Sequence, residues 1–129
     1  MAAILPGIGP IRIRSLLLSI PHAAGALYST TEDLLRWEQG LFGGKVVSAA
    51  SLQKMTTPFK NNYALGVTVQ TSDGRKVVQH GGGIQGFNTF LAYYPDDKLT
   101  VAVLANINGP APGAMAAKLA AVAHGEPAP

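Results

Sequence analysis

The strongest constraint on the fold is a set of four β-rich runs separated by turn signals: residues 65–70, 76–80, 87–94 and 99–106. Asp73-Gly74 lies between the first two runs, and an Asp-Gly pair is a strong hairpin signal. A glycine cluster at residues 81–86 separates the second run from the third, and Pro95-Asp96 follows the third. Short turns between such runs predict an antiparallel meander of about four strands. The fourth run is apolar almost throughout, which predicts a strand that is central or buried on both faces.

Helical signals flank the strands. Ser29, Thr30 and Thr31 are candidate N-caps for a helix that ends at Gly43-Gly44. Its expected apolar face consists of Leu34, Leu35, Trp37, Leu41 and Phe42. A second, short helix is expected from residue 48 or 49 to residue 55, and an alanine-rich helix over residues 113–124. The sequence therefore predicts an α+β fold, with helices N-terminal to an antiparallel sheet and one C-terminal helix packed on that sheet.

Length and charge limit the classes of function. The chain has 129 residues, enough for one domain, and a net charge of +3 that is spread thinly along the sequence. No basic stripe with interleaved aromatic residues is present, so nucleic acid is not an expected partner. The absence of cysteine excludes a disulfide framework, a cysteine nucleophile and thiolate metal sites. No cofactor is expected.

The two ends differ in composition from the middle of the chain. Residues 1–19 are predicted to be an atypical leader, and residues 126–129 a disordered tail. The apolar run at residues 16–18 is too short to span a bilayer, so no membrane partner is expected. Arg12 and Arg14 precede this run as in a signal peptide, but the apolar core is shorter than signal peptides require. The alternation at residues 11–14 is also compatible with an edge strand.

The segment from His80 to Phe87 has two interpretations. Four glycines in seven positions are costly in a strand, so the run indicates either a glycine-rich turn or a place that another group must approach closely. His80 at its head adds a group suited to proton transfer, and amides beside it could hold a developing negative charge. Without further information, a turn beside an incidental surface histidine explains the pattern equally well.

Several segments together resemble the C-terminal part of the serine β-lactamase-like family. They are residues 25–30 leading into 32–34, 63–67, His80-Gly81-Gly82 with Gly86-Phe87, 94–96 and 103–106. This family includes class C β-lactamases, D-alanyl-D-alanine carboxypeptidases and related esterases, which are typically periplasmic or secreted. The resemblance covers residues 20–125. It implies a partial β-lactamase-like fold and acyl transfer on a β-lactam, a D-Ala-D-Ala peptide or an ester.

The resemblance also implies roles for individual residues. His80-Gly81-Gly82 is similar to the third active-site motif of the family, so these residues and Gly83 are expected to bind substrate. His80 would face the substrate carboxylate, and Gly83 is similar to the residue whose backbone N–H forms half of the oxyanion hole. Side chains beside such a donor would block the substrate, which explains the glycines.

The first motif of the family, Ser-x-x-Lys, is where the sequence departs from the pattern. The chain has a single such sequence, Ser51 and Lys54, spaced to lie on one face of a helix. In the family this segment resembles a non-catalytic stretch, so Ser51 is not the expected nucleophile. Tyr63 is expected to be a packing residue. The hypothesis is therefore a C-terminal fragment of a serine hydrolase that is inactive alone.

Other partners and functions stay open. A fragment leaves a sheet edge bare, so either a homo-oligomer or the missing N-terminal half of the family fold is the expected partner. A non-catalytic binding or assembly module on the same scaffold is the main alternative. The His80 to Gly83 sequence also spells the oxyanion motif of α/β-hydrolases, but the Gly-x-Ser-x-Gly that fold requires is absent. A metal site would need His22, His80 and His124 to converge, and none is expected.

Overall fold

The computed structural model describes residue 25 and residues 27–127. In chain order its elements are α1 (Thr31–Phe42), α2 (Ala49–Met55), β1 (Thr68–Ser72), β2 (Arg75–Ile84), β3 (Phe87–Tyr94), β4 (Leu99–Ala105) and α3 (Ala111–Ala123). The strands form one antiparallel sheet in the order β1-β2-β3-β4. The predicted α+β meander is therefore confirmed. The predicted leader, the alternating segment 11–14, His22 and the last two residues of the predicted tail lie outside the described residues.

The two N-terminal helices begin at side-chain caps. The Asp33 backbone N–H donates to the Thr30 hydroxyl oxygen over 3.1 Å at the start of α1. At the start of α2 the Ser51 N–H donates to the Ser48 hydroxyl oxygen over 3.2 Å. Each bond satisfies an amide that has no partner within its own helix, and such a cap stabilises a helix by about 1 kcal/mol. The caps therefore fix where both helices start.

Short turns set the register of the sheet. Asp73 and Gly74 have φ of 51° and 76°, the conformation of a two-residue hairpin whose twist matches that of the strands. This turn places Ser72 opposite Arg75. Turns at residues 85–86 and 95–98 then connect β2 to β3 and β3 to β4.

The glycine cluster is not a turn, which corrects the sequence interpretation. β2 continues through Gly81, Gly82 and Gly83 to Ile84, and only residues 85–86 form the turn to β3. Each of these glycines is paired across the ladder to a residue of β3. Glycine in a strand costs about 0.5–1 kcal/mol relative to alanine. The hydrogen bonds of the ladder to the neighbouring strand outweigh this cost.

The described residues do not bear out the prediction that the fourth strand is central or buried on both faces. Among the described strands β4 pairs with β3 alone, and only Val101 of this strand is buried. Its apolar residues are instead half-covered by the helices packed on either face. The first strand begins at Thr68, later than expected, because Gly66 adopts φ of 80° and the Ala64 N–H donates to the Val67 carbonyl over 2.8 Å. That turn keeps residues 64–67 out of the sheet.

Apolar clusters form on the two faces of the sheet. One lies beneath α3 and consists of Val77, Ala92, Tyr94, Val101, Ala116 and Ala120. The other consists of Ala64, Val69 and Val78, with Phe42 of α1 packed against it. Phe42 also stacks on Tyr93, with ring centroids 3.9 Å apart. Because side chains alternate along a strand, His80 shares the face of Val78, which is the α1 face.

Candidate functional site

A cleft of about 650 Å³ lies between α1, the segment after α2 and the sheet. Its lining is apolar except for a few polar side chains, and consists of Trp37, Glu38, Leu41, Phe42, Met55, Thr56, Tyr63, Leu65, Gly66, Val67, Val78, Gln79, His80, Gly81, Gly82 and Leu91. A concave, mostly apolar site with a few convergent polar groups is the usual form of a small-molecule site. Three of the four predicted substrate-binding residues line this cleft.

His80 is positioned by the sheet and by a contact with Tyr63. The Tyr63 hydroxyl lies 3.3 Å from His80 Nε2, and the two rings meet edge-on with centroids 6.0 Å apart. Which of the two groups donates depends on the tautomer of the imidazole. Tyr63, expected only to pack, is half-exposed and orients the histidine.

A tight turn presents Tyr63 to the cleft. Asn61 and Asn62 have φ of 49° and 62°, in the left-handed region that asparagine tolerates better than most residues. The Tyr63 N–H donates to the Lys60 carbonyl and the Phe59 N–H donates to the Tyr63 carbonyl, each over 2.8 Å. The signal that could have revealed this role is the Asn-Asn pair, which indicates a turn just before the tyrosine.

The backbone of β2 has one uncovered edge beside the cleft. β1 pairs with β2 no further than Gln79, whereas β3 pairs with β2 as far as Ile84. Within the described part of the chain, no strand covers the outer edge of residues 80–84. A β-carbon at Gly83 would lie 3.1 Å from the Asn88 side-chain nitrogen, and one at Gly81 would lie 3.5 Å from the Phe90 ring. The glycines therefore combine an approachable edge with close packing toward β3.

Glu38 is a polar group of the cleft that the sequence reasoning missed. The residue is only 6% exposed, and its Oε2 atom has no hydrogen-bond partner among the described residues. Burial raises the pKa of this carboxyl from 4.5 to about 7. Burial, and to a lesser degree the Glu38 charge, raises the pKa of Tyr93.

The buried face of α1 differs from the expected one. Trp37, expected in the core, is 49% exposed at the cleft, and Leu35 is 41% exposed. Glu38 and Leu41 are the buried residues of the helix. Positions 34, 38, 41 and 42 have the spacing of a single helix face, so the helical period could have predicted that Glu38 lies on the buried face.

Ser51 and Lys54 lie elsewhere. Ser51 is exposed in the first turn of α2, where its hydroxyl oxygen accepts a hydrogen bond of 3.0 Å from the Ser48 hydroxyl. Lys54 is also exposed and lines a separate depression with Phe59 and Leu65. Neither residue lines the cleft that contains His80.

The histidines that the structure describes lie on opposite faces of the sheet. His124 contacts Tyr94 on the α3 face and its Nε2 lies 3.1 Å from a carboxylate oxygen of Asp97, whereas His80 lies on the α1 face. Residue 25 and residues 27–127 contain no group of three or more potential metal ligands of the His, Cys, Asp or Glu type. In the same part of the chain, no helix combines the length and apolarity needed to cross a bilayer.

Comparison with known proteins places the chain in a family. The Beta-lactamase family model matches residues 4–125. The chain belongs to the β-lactamase family. It is similar to Penicillin-binding protein 4* of Bacillus subtilis, with 32% identity over 89 residues, which is 64% of this chain and 20% of that protein. The chain thus spans about a fifth of the length of this relative.

Solved structures of family members share the fold. The octameric penicillin-binding protein homologue from Pyrococcus abyssi is 26% identical, with a TM-score of 0.68 over 77% of this chain and 25% of that chain. A penicillin-binding protein from Bacillus halodurans is 28% identical, with a TM-score of 0.61 over 70% of this chain and 30% of that one. The fold is therefore a portion of a penicillin-binding protein fold, and the resemblance found in the sequence is confirmed.

Proposed function

We propose that this chain supplies the substrate-facing wall of a serine acyl-transfer site, with His80, Gly81, Gly82 and Gly83 in contact with the substrate. The observation that carries the proposal is the placement of His80 in this cleft, at the head of a glycine edge that no described strand covers. The substrate class is that of the family: a β-lactam, a D-Ala-D-Ala peptide or an ester.

The residues of this wall have distinct tasks. His80, oriented by the Tyr63 hydroxyl, donates a hydrogen bond or presents positive charge to the substrate carboxylate. The Gly83 N–H is half of an oxyanion hole, in which a donor must stand about 3 Å from the forming negative charge. Since residues 81–83 have no side chains, the reacting carbonyl can approach the strand closely.

We further propose that the chain alone does not form an acyl-enzyme. Acyl transfer needs a nucleophile, a base and an oxyanion hole in one place. Ser51 is bound to the Ser48 cap and lies outside the cleft, so the only Ser-x-x-Lys sequence of the chain is poorly placed to attack a substrate held at His80. The wall therefore works together with a hydroxyl nucleophile supplied by another polypeptide segment.

Incubation with a fluorescent penicillin and with a nitrophenyl ester tests this division of tasks. We expect no covalent adduct and no ester turnover, but reversible penicillin binding that His80→Ala abolishes. Gln70→Ala, at an exposed position of β1, is the matched control and should bind as the wild type does. A covalent adduct on Ser51 that Ser51→Ala removes would contradict the proposed inactivity, and unchanged binding by His80→Ala would contradict the proposed wall.

A second candidate function is homo-oligomeric assembly on the same scaffold. Phe59 is 93% exposed and Leu65 is 65% exposed, and both line one surface depression beside the cleft. Apolar surface of this kind indicates an interaction site, and the homologue from Pyrococcus abyssi is described as octameric. Light scattering at micromolar concentration should give an oligomer that Phe59→Ser weakens. A monomeric wild type would rule this assembly out.

A further inference from the structure

The buried carboxyl of Glu38 is unusual because the described chain gives it no partner. Nearly all buried polar atoms in folded proteins form a hydrogen bond, and an unsatisfied one indicates a missing donor. Glu38 is only 6% exposed, and it lines the cleft. Its Oε2 atom has no hydrogen-bond partner among the described residues. A donor on a molecule bound beside Glu38 would therefore meet a carboxyl that no described residue satisfies.

Among the described residues, the cleft brings no permanently charged side chain to neutralise Glu38. None of its lining residues is a lysine or an arginine. The other polar side chains of the lining belong to Thr56, Tyr63, Gln79 and His80, and none of them is hydrogen-bonded to Glu38. A cationic donor on a bound molecule would therefore give the ionised form of Glu38 a partner that the described lining lacks.

The surroundings of Glu38 favour an organic cation over an inorganic one. Trp37, Phe42 and Tyr63 bring three aromatic rings to the lining, and Leu41, Met55 and Leu91 add alkyl surface. Aromatic faces attract ammonium groups, and alkyl surface covers a carbon chain. A single carboxylate in an apolar wall offers too few oxygens for Mg²⁺ or Ca²⁺.

We propose that the cleft binds a primary alkylammonium group, with Glu38 as its counter-ion, the aromatic rings beside the ammonium and the alkyl side chains against its carbon chain. The inference rests on the proposed function for one point only. That point is that the ammonium group belongs to the same substrate whose carboxylate faces His80. Binding of the ammonium group itself requires no acyl transfer, and is measured separately.

Proton linkage provides a readout specific to Glu38. Burial holds the carboxyl protonated up to a pH of about 7, and an ammonium ion binds the ionised form. Binding is therefore accompanied by loss of a proton, and affinity rises with pH through this range. The other titratable groups that face the cleft or Glu38 are Tyr63, His80 and Tyr93, so the dependence must be assigned by substitution.

The experiment titrates the full chain with n-hexylammonium chloride and with 1-hexanol, a neutral ligand of similar size, at pH 5.5 and pH 8. We expect hexylammonium to bind about tenfold or more tightly than hexanol at pH 8, as hydrogen bonds to charged groups allow. This preference should shrink severalfold at pH 5.5. Glu38→Gln should bind both ligands equally at both pH values, while Glu32→Gln, an exposed change on the same helix, should behave as wild type.

A measurement on the wild type keeps the test independent of variant folding. The ¹³C shift of the Glu38 carboxyl carbon at pH 6.5 should move toward the ionised value as hexylammonium is added, and stay constant with hexanol. Equal affinity for the two ligands, or a carboxyl shift that hexylammonium leaves unchanged, would overturn the proposal. Failure of penicillin to bind would count against the acyl-transfer wall alone, because neither ligand used here carries an acyl group.

Discussion

The buried Glu38 carboxyl should make the folded chain less stable as the pH rises. Its pKa is 4.5 in an exposed setting and about 7 in the fold, where burial without a hydrogen-bond donor disfavours the charged form. Between these two values the folded state binds more protons than the unfolded state does. The free energy of unfolding therefore falls as the pH increases through this window, rather than rising as it does for a carboxylate in an ion pair.

The size of the effect follows from the pKa change. Each pH unit within the window lowers the free energy of unfolding by at most about 1.4 kcal/mol, which gives roughly 3 kcal/mol in total. Below pH 4.5 the carboxyl is protonated in both states and contributes no pH dependence, and above pH 7 the cost is complete. Since Glu38 borders an open cleft, water reduces the expected loss to about 2 kcal/mol.

Urea denaturation of the wild type and of Glu38→Gln at pH 5 and pH 8 measures this loss. The wild type should lose about 2 kcal/mol more than the variant between the two pH values, and the variant should be the more stable protein at pH 8. Glu32→Gln, which removes an exposed carboxylate from the same helix, should retain the wild-type pH dependence. Equal pH dependence in the wild type and Glu38→Gln would refute the assignment of the effect to this carboxyl.

Three further changes test other parts of the fold by the same denaturation assay. Gly43→Ala should destabilise by about 1–3 kcal/mol, because a β-carbon there would lie 2.4 Å from the Gln39 carbonyl oxygen; a neutral result would contradict this clash. Val77→Ala, at a fully buried position, should cost about 2 kcal/mol, and a cost under about 0.5 kcal/mol would mean that α3 does not cover this face. Arg75→Gln removes a 2.7 Å ion pair with Glu126 at the surface, so it should lower the stability only slightly and have no effect in 1 M salt.

Turn chemistry and strand periodicity were sufficient to predict most of the sheet. The Asp73-Gly74 pair required positive φ at both positions and so fixed one hairpin, and the third strand was predicted with the bounds observed, Phe87–Tyr94. These features depend on residues next to each other in the chain. The position of β4 at the edge of the described sheet depends on its neighbouring strands, which its own residues do not specify. Its apolar composition suggested a central strand, whereas the apolar residues are there because helices pack on both of its faces.

The candidate site was predictable only in part. His80 and its glycines were predicted as site residues through motif resemblance, since the spacing of that motif is local. The Tyr63 contact joins residues 17 positions apart through a turn, and no periodic pattern encodes it. Glu38 was overlooked because a charged residue is rarely buried, so the apolar face was drawn around Trp37 instead. In the structure the opposite holds, because Trp37 lies half-exposed at the open cleft while the Glu38 side chain is buried.

A packing contact connects the two elements that carry Glu38 and His80. Glu38 belongs to α1 and His80 to β2, and Phe42, one turn after Glu38, stacks on Tyr93 at 3.9 Å. Tyr93 is paired with Val78, two residues before His80. The separation of the carboxyl from the imidazole is therefore set by packed aromatic rings and a strand ladder, both of which are rigid. A ligand that carries a carboxylate and an ammonium at opposite ends can satisfy both groups at once, whereas a ligand with one charge leaves the other group without its counterpart.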